Sequence, residues 1–445
     1  MAVEESTIGA LLDETGGSIK TGPFGTKLKA SEYTATGVPV ISVGEVGFGR
    51  LRIHHDTPRV DETVSSRMPE FLLKAGDIVF GRKGAVERSA QVQPDEDGYF
   101  LGSDGIRIRL NVSVCDPRFV SYQLQTAAHR SWMIQHAAGT TMPSLNEGII
   151  RRIPIVLKPL AEQKAIAAAL GALDDKIELN RRMNETLEAM ARALFQSWFV
   201  DFDPVRAKLE ARSLAGLDQA TAAHFPASFQ DSPLGPIPHG WTATTLGQVC
   251  EQGGGNIQTG PFGTQLHASD YVDEGIPSIM PSDLRDNRID IGSIARIRDE
   301  DAKRLNMYRV QAGDVVYSRR GDVERRSLIR RNEDGWLCGT GCLRVRFGPR
   351  GLNPFFGASY LGTLESRAWV VRHAVGATMP NLNTSILGAL PMVVPPAELQ
   401  TRFAKIVGPW DERGTIALHQ SRTLATLRDT LLPKLLSGEL SVTQQ

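Results

Sequence analysis

Cysteine is scarce in this chain, with four in 445 residues, at Cys115, Cys250, Cys338 and Cys342. That scattering excludes a disulfide framework and fits a reducing compartment, so a cytoplasmic protein is expected. Long apolar runs are missing too: none approaches the roughly 18 residues that a membrane span needs. Met1-Ala2-Val3-Glu4-Glu5 has neither the basic nor the apolar stretch of a secretory signal. An excess of either charge is also lacking, since 50 Lys and Arg balance 50 Asp and Glu. A non-specific nucleic-acid coat would be strongly basic. A reader with local basic patches is not excluded, because steering depends on where the charge sits.

Familiar catalytic signatures are absent as well. No phosphate-cradling Gly-x-x-x-x-Gly-Lys-Ser/Thr loop occurs. Gly22-Pro23-Phe24-Gly25-Thr26 is glycine-bearing but lacks the lysine, and its proline stands where a backbone N–H would be needed. It reads as a structural turn or a backbone phosphate contact. Cys338 and Cys342 lie four apart with no second ligand pair, which suits buried thiols better than zinc. No Ser/His/Asp grouping is apparent. The expectation is a non-enzyme that holds no cofactor itself.

What is present is a duplication. Thr21-Gly22-Pro23-Phe24-Gly25-Thr26 recurs as Thr259-Gly260-Pro261-Phe262-Gly263-Thr264, and Ala30-Ser31 with Tyr33 recur as Ala268-Ser269 with Tyr271. Ala75-Gly76-Asp77 and Val86-Glu87-Arg88 recur as Ala312-Gly313-Asp314 and Val323-Glu324-Arg325. Trp132, His136, Gly139 and Thr141-Met142-Pro143 recur as Trp369, His373, Gly376 and Thr378-Met379-Pro380. The shift between copies stays at 237 or 238, as in 314 − 77 and 259 − 21. So many collinear matches at one offset mean two duplicated domains, and the period is far above that of a solenoid. Asn353-Pro354-Phe355-Phe356 superficially resembles the Asn-Pro-Pro-Tyr/Phe tetrapeptide of amino-group methyltransferases. Its counterpart, Asp116-Pro117-Arg118-Phe119, shows the simpler reading of a helix cap followed by proline. His136 and His373 each stand alone beside a tryptophan, as core or hydrogen-bonded histidines would.

Each copy begins with short apolar runs such as Val38-Pro39-Val40-Ile41 and Asp77-Ile78-Val79-Phe80, punctuated by Gly and Pro, which read as strands and turns. A helical pattern follows. From about Ala161 to Phe199, Ile166, Leu170, Leu173, Ile177, Leu187, Ala191, Leu194 and Trp198 form a seam in steps of four and three, broken by Asn180 and Asn184. From about Ala397 to Leu432, Phe403, Val407, Trp410, Leu424 and Leu431 form a second seam, and Gly408-Pro409 and Gly414 are expected to interrupt that helix. Residues 206–240, rich in Pro, Gly and Ser from Ser228 onward, read as an extended connector. The expected class is therefore α+β: a globular domain over 1–160, a long helix over 161–205, the linker, a second domain over 241–396 and a second long helix over 397–440. The two seams would pair as an antiparallel coiled coil with pseudo-two-fold symmetry.

The strongest basic clusters follow the Ala-Gly-Asp turn: Arg82-Lys83-Gly84 with Arg88, and Arg319-Arg320-Gly321 with Arg325-Arg326 and Arg330-Arg331. Glycine among cations lets a backbone approach a phosphodiester, and arginine offers a fork for phosphate or guanine. Lys27 and Lys29 become Gln265 and His267 in the second copy. Positions alike in both copies would hold the fold or the phosphates, and polar positions that differ would read bases.

The chain resembles the specificity subunits of type I restriction–modification systems over nearly its whole length. The resemblance is carried by Ile153-Pro154-Ile155-Val156-Leu157-Lys158-Pro159-Leu160-Ala161-Glu162-Gln163, by Ser197-Trp198-Phe199-Val200-Asp201-Phe202-Asp203-Pro204, and by Leu432-Pro433-Lys434-Leu435-Leu436-Ser437-Gly438-Glu439-Leu440. It implies two target-recognition domains that read a bipartite double-stranded DNA site, and helices that space them and dock two methyltransferase subunits. Restriction–translocase subunits can join. It also implies that S-adenosylmethionine, ATP and Mg belong to those partners. Rival expectations are a specificity module of a methyltransferase-only complex and a scaffold with two lectin-like or protein-binding domains.

Overall fold

The computed structural model describes residues 4–24, 27–376 and 378–442; Gly25 and Thr26 of the first repeated hexapeptide lie outside the described residues. The chain divides into two compact units, Met1–Arg181 with Leu418–Gln445, and Arg182–Ala417. The division falls inside both long helices, so it does not follow the boundaries drawn from the sequence. Each unit holds one globular domain and a stretch of each helix.

In the first unit, a five-stranded sheet has the order 18–21, 105–109, 78–81, 89–91, 49–50. Ile78–Gly81 lies centrally and is buried throughout, as an apolar β-branched run should be. A smaller sheet orders Tyr33–Thr34, Arg59–Val60, Val38–Ile41 and Phe100–Leu101, and Glu4–Thr7 pairs with Pro154–Leu157. The second unit repeats this plan: sheet strands 256–259, 342–346, 315–318 and 326–328, a smaller sheet of 271–272, 295–297, 276–279 and 337–338, and the pair Thr242–Thr245 with Pro391–Val394. Even the register is kept, with Phe80 opposite Ile106 and Tyr317 opposite Leu343.

The Ala-Gly-Asp motif proves to be a fold determinant. Gly76 and Gly313 take φ of 91° and 96°, which favours glycine. Asp77 then accepts from the Lys74 amide at 2.8 Å and takes both arms of Arg109 at 2.7 Å. Asp314 does the same with the Gln311 amide and Arg346. The Asn353 and Asp116 side chains accept from Phe355 and Arg118 amides, so both Asx-Pro pairs are helix caps.

The first long helix runs Leu160–Phe199 and the second Ala397–Ser437. The expected interruption of the second helix does not occur. Pro409 removes the donor that the Lys405 carbonyl would use, yet the chain stays helical because Phe403 and Val407 are buried on the same face. The glycines are close approaches: a Cβ on Gly408 would meet the Phe355 ring at 3.5 Å, and one on Gly414 would meet Asn184 at 3.2 Å. The seams pair antiparallel within each unit. In the first, Asp174 bonds Arg428 at 2.7 Å and Asn180 donates to Ser421 at 3.3 Å. In the second, Phe195 and Phe403 meet with ring centroids 5.5 Å apart.

The connector is also more ordered than its composition suggests. It contains helices Asp203–Leu209 and Gln219–Ala222 and the strand pair Phe229–Gln230 with Ile237–Pro238. Phe225 and Ile237, with Trp241 just beyond, are buried in the second unit's core beside Trp198 and Phe199. Aromatic anchors override the Pro-Gly-Ser signal here. All four cysteines are buried free thiols, and burial pushes the Cys338 thiol up to about 12. Among the described residues, no helix is long and apolar enough to cross a membrane.

Candidate nucleic-acid interface

The turn at Gly22-Pro23-Phe24 starts where strand Ser18–Thr21 ends. Its Gly22 amide donates to Gly105 O at 3.0 Å, and a Cβ on Gly22 would lie only 1.8 Å from the Gly102 carbonyl. The backbone is therefore pressed against the 102–105 turn. On the other side of that turn, the Arg82 amide donates to Asp104 O at 2.9 Å. Arg82 comes to rest over the Phe24 ring, 4.6 Å from its centroid, a cation–π contact. Lys83 reaches Asp104 at 3.5 Å. The Gly84 amide donates to Pro143 O at 2.9 Å, which brings the Thr-Met-Pro loop to the same place. Three repeated motifs thus converge on one face, and each leaves an apolar or cationic side chain exposed: Phe24, Lys83 and Met142.

The second unit builds the same junction. Gly260 donates to Cys342 O at 2.9 Å, Arg319 to Gly341 O at 2.8 Å, and Gly321 to Pro380 O at 3.0 Å. Phe262 and Met379 are exposed like their counterparts, and so is Arg320. One difference concerns charge. Asp104 is replaced by Gly341, so the cation at position 320 has no acid at the place where Lys83 has one.

Lys27 and Lys29 join this face, since the Lys27 amide donates to Phe24 O at 3.2 Å. Both are exposed and border a hollow of about 390 Å³ with Glu32, Arg67 and Glu70. The Lys29 amide, and then Arg67, hydrogen-bond Glu32 and hold its carboxyl below the usual range. His267 occupies the position of Lys29, with its amide on Asp270 at 2.8 Å. Lys27 and Gln265 differ in a coupled way. Lys27 lies over the Phe71 ring at 5.6 Å, whereas the Gln265 carboxamide accepts from the Tyr308 hydroxyl at 2.9 Å. Phe71 and Tyr308 are corresponding residues, 237 apart. The cation sits on the plain ring and the amide on the phenol, so each pair forms one unit.

The remaining candidates lie elsewhere. Arg88 stacks with Arg130 on Phe48, at 5.9 and 5.3 Å. Its counterpart Arg325 is exposed and paired with Asp322 at 2.7 Å. Arg326 is turned inward on strand Arg326–Leu328 and only 8% exposed, so it cannot meet a duplex. It lines the wall of a partly open pocket of about 590 Å³ with Glu188 and Trp410. Arg330 is also spent internally, on Asp411. Sequence reading missed Arg67 and Arg304, which donate to Lys27 O and Gln265 O at 3.3 and 2.9 Å and so anchor the two loops. Only their common spacing could have revealed them. His136 and His373 are surface residues, each 2.8 Å from the carbonyl of its stacked Trp132 or Trp369.

Residues 22–189 match the sequence model of the type I restriction modification DNA specificity domain. The HindI specificity subunit of Haemophilus influenzae is 25% identical, over 83% of this chain and 87% of that one. The chain is thus similar along most of its length to type I restriction enzyme specificity subunits, and it carries a match to their DNA specificity domain. The MjaIX specificity subunit of Methanocaldococcus jannaschii is 23% identical, over 73% of this chain and 69% of the relative. Among solved structures, a type I system S subunit from M. genitalium shares the fold, with a TM-score of 0.58, 17% identity and coverage of 98% of this chain and 96% of that one. The α+β domains and the antiparallel helices are as the sequence led us to expect.

Proposed function

We propose that this chain is a type I specificity subunit that reads a bipartite double-stranded DNA site, one part through each globular domain. In this reading it docks two methyltransferase subunits and, for cleavage, restriction–translocase subunits in the cytoplasm. S-adenosylmethionine serves the methyltransferases, and ATP with Mg serves the translocase. The observation that carries the reading is the repeated junction: in both domains an exposed phenylalanine and a cationic Gly-bearing turn flank the same backbone turn. Exposed cations on a Gly turn suit a phosphodiester, and the polar residues that differ beside them, Lys27 and Lys29 against Gln265 and His267, suit base edges.

The test is methylation-sensitive sequencing of the host genome. A two-part methylated motif that disappears when this gene is deleted is the expected result. A methylome that does not change on deletion would sink the proposal.

A further inference from the structure

We infer that Phe24 and Phe262 are wedges that enter the DNA stack, each parting a base step at the part of the site its domain reads; the inference rests on the DNA-reading function proposed above. Phe24 is 54% exposed and Phe262 is 60% exposed. A phenyl ring in water gives up the burial energy it would gain inside, and neither ring belongs to a core cluster. Both copies nevertheless keep it, although Lys27 and Lys29 a few residues on have changed to Gln265 and His267. Folding does not explain that retention.

The base of each turn is rigid where the ring needs support. Pro23 and Pro261 are buried. The missing Cβ of Gly22 and of Gly260 lets the chain pass within 1.8 and 2.1 Å of the Gly102 and Gly339 carbonyls, measured from where that carbon would be. The phenylalanine that follows is the first side chain free to project. In the first domain Arg82 covers one ring face, and Lys83 follows it in the chain with its ammonium on Asp104; in the second, the Arg319 amide holds the corresponding turn on Gly341 O and exposed Arg320 follows it. An exposed ring beside a cationic turn matches a base step with its two phosphates. The ring replaces lost base stacking, and the cations neutralise the phosphates that the opened step brings near. Arg82 moves from ring to phosphate as the ring enters.

The experiment uses the complete chain assembled with its methyltransferase partner, on duplexes carrying the motif found by methylome sequencing. 2-Aminopurine is placed at each base step in turn. The expected result is enhanced fluorescence at one step in each part of the site, apart from the methylated adenine, which the methyltransferase extrudes by itself. Phe24→Ala should abolish the signal in one part only and weaken specific binding roughly 5- to 100-fold. Phe24→Leu should retain the signal, and Phe262→Ala should mirror the loss in the other part. Fluorescence confined to the methylated adenine, or undiminished in Phe24→Ala, overturns the wedge while specific binding stands. Loss of methyltransferase assembly in Phe24→Ala, with DNA distortion intact, reassigns the ring to a protein interface and also overturns it. Absence of any sequence-specific binding by the native complex overturns the DNA-reading function itself.

Discussion

Arg330 closes a two-armed ion pair on Asp411 of the second long helix, at 2.8 and 2.6 Å. It belongs by sequence to the densest basic cluster of the chain, yet its charge is consumed inside the second unit. Arg288 reaches the same carboxylate at 3.4 Å. Burial raises the Asp411 carboxyl, and the hydrogen bonds and charge of Arg330 with the charge of Arg288 outweigh it, so the net shift is downward.

A carboxylate whose folded pKa is depressed contributes stability above its unfolded value, about 3.9 for Asp, and loses it as the pH falls through the folded value. Asp411→Asn should therefore destabilise the second unit by about 3–5 kcal/mol at neutral pH, because it leaves two enclosed guanidinium groups without their shared anion. The difference from the native chain should shrink in acid, below about pH 4. Chemical denaturation across pH would show this, and a difference that does not depend on pH would refute the pairing.

Phe403 is fully buried and touches Phe195, Trp198 and Phe199. Truncation to alanine should cost about 3–5 kcal/mol in transfer and cavity terms. Calorimetry should record the loss. A melting temperature within a degree of native would mean the two helices do not depend on this cluster.

Lys83 and Arg320 are proposed phosphate ligands, and Arg326 is excluded by burial. Removing Lys83 or Arg320 should reduce the slope of log affinity against log salt by roughly one each. Arg326→Leu should leave that slope alone, because its side chain is buried on the strand Arg326–Leu328. Binding titrations at several salt concentrations decide the matter; equal slopes for all three variants would contradict the assignment.

Exchanging Lys27 and Lys29 for Gln and His should change base preference in one part of the site. Because Lys27 rests on Phe71 where Gln265 bonds Tyr308, the exchange should work best with Phe71→Tyr added. Selection from a randomised duplex pool is the measurement. Weaker binding with an unaltered preferred sequence would assign these positions to phosphate instead.

Much of the architecture was legible in the primary sequence because repetition does not depend on knowing the fold. The repeated hexapeptide, the Ala-Gly-Asp turn and the Thr-Met-Pro loop were visible as matches, though only the first two suggested a role. Helix ends near Phe199 and Leu432 were close to those observed, Phe199 and Ser437. Local rules failed at Pro409 and in the connector. Both are places where burial of aromatic or β-branched side chains outweighs the preference of a proline or glycine.

By itself, the sequence determined the two-copy plan and the two helical seams, since each is a matter of order and spacing along the chain. Only the tertiary structure decided which charges face outward. Arg320 and Arg326 are six residues apart in one basic run, yet a strand sends one to solvent and the other inward. Likewise, Arg82 meets Phe24 across 58 residues because two strands and a turn bring them together. Charge composition is additive along a chain, but charge placement depends on which backbone neighbours the fold provides.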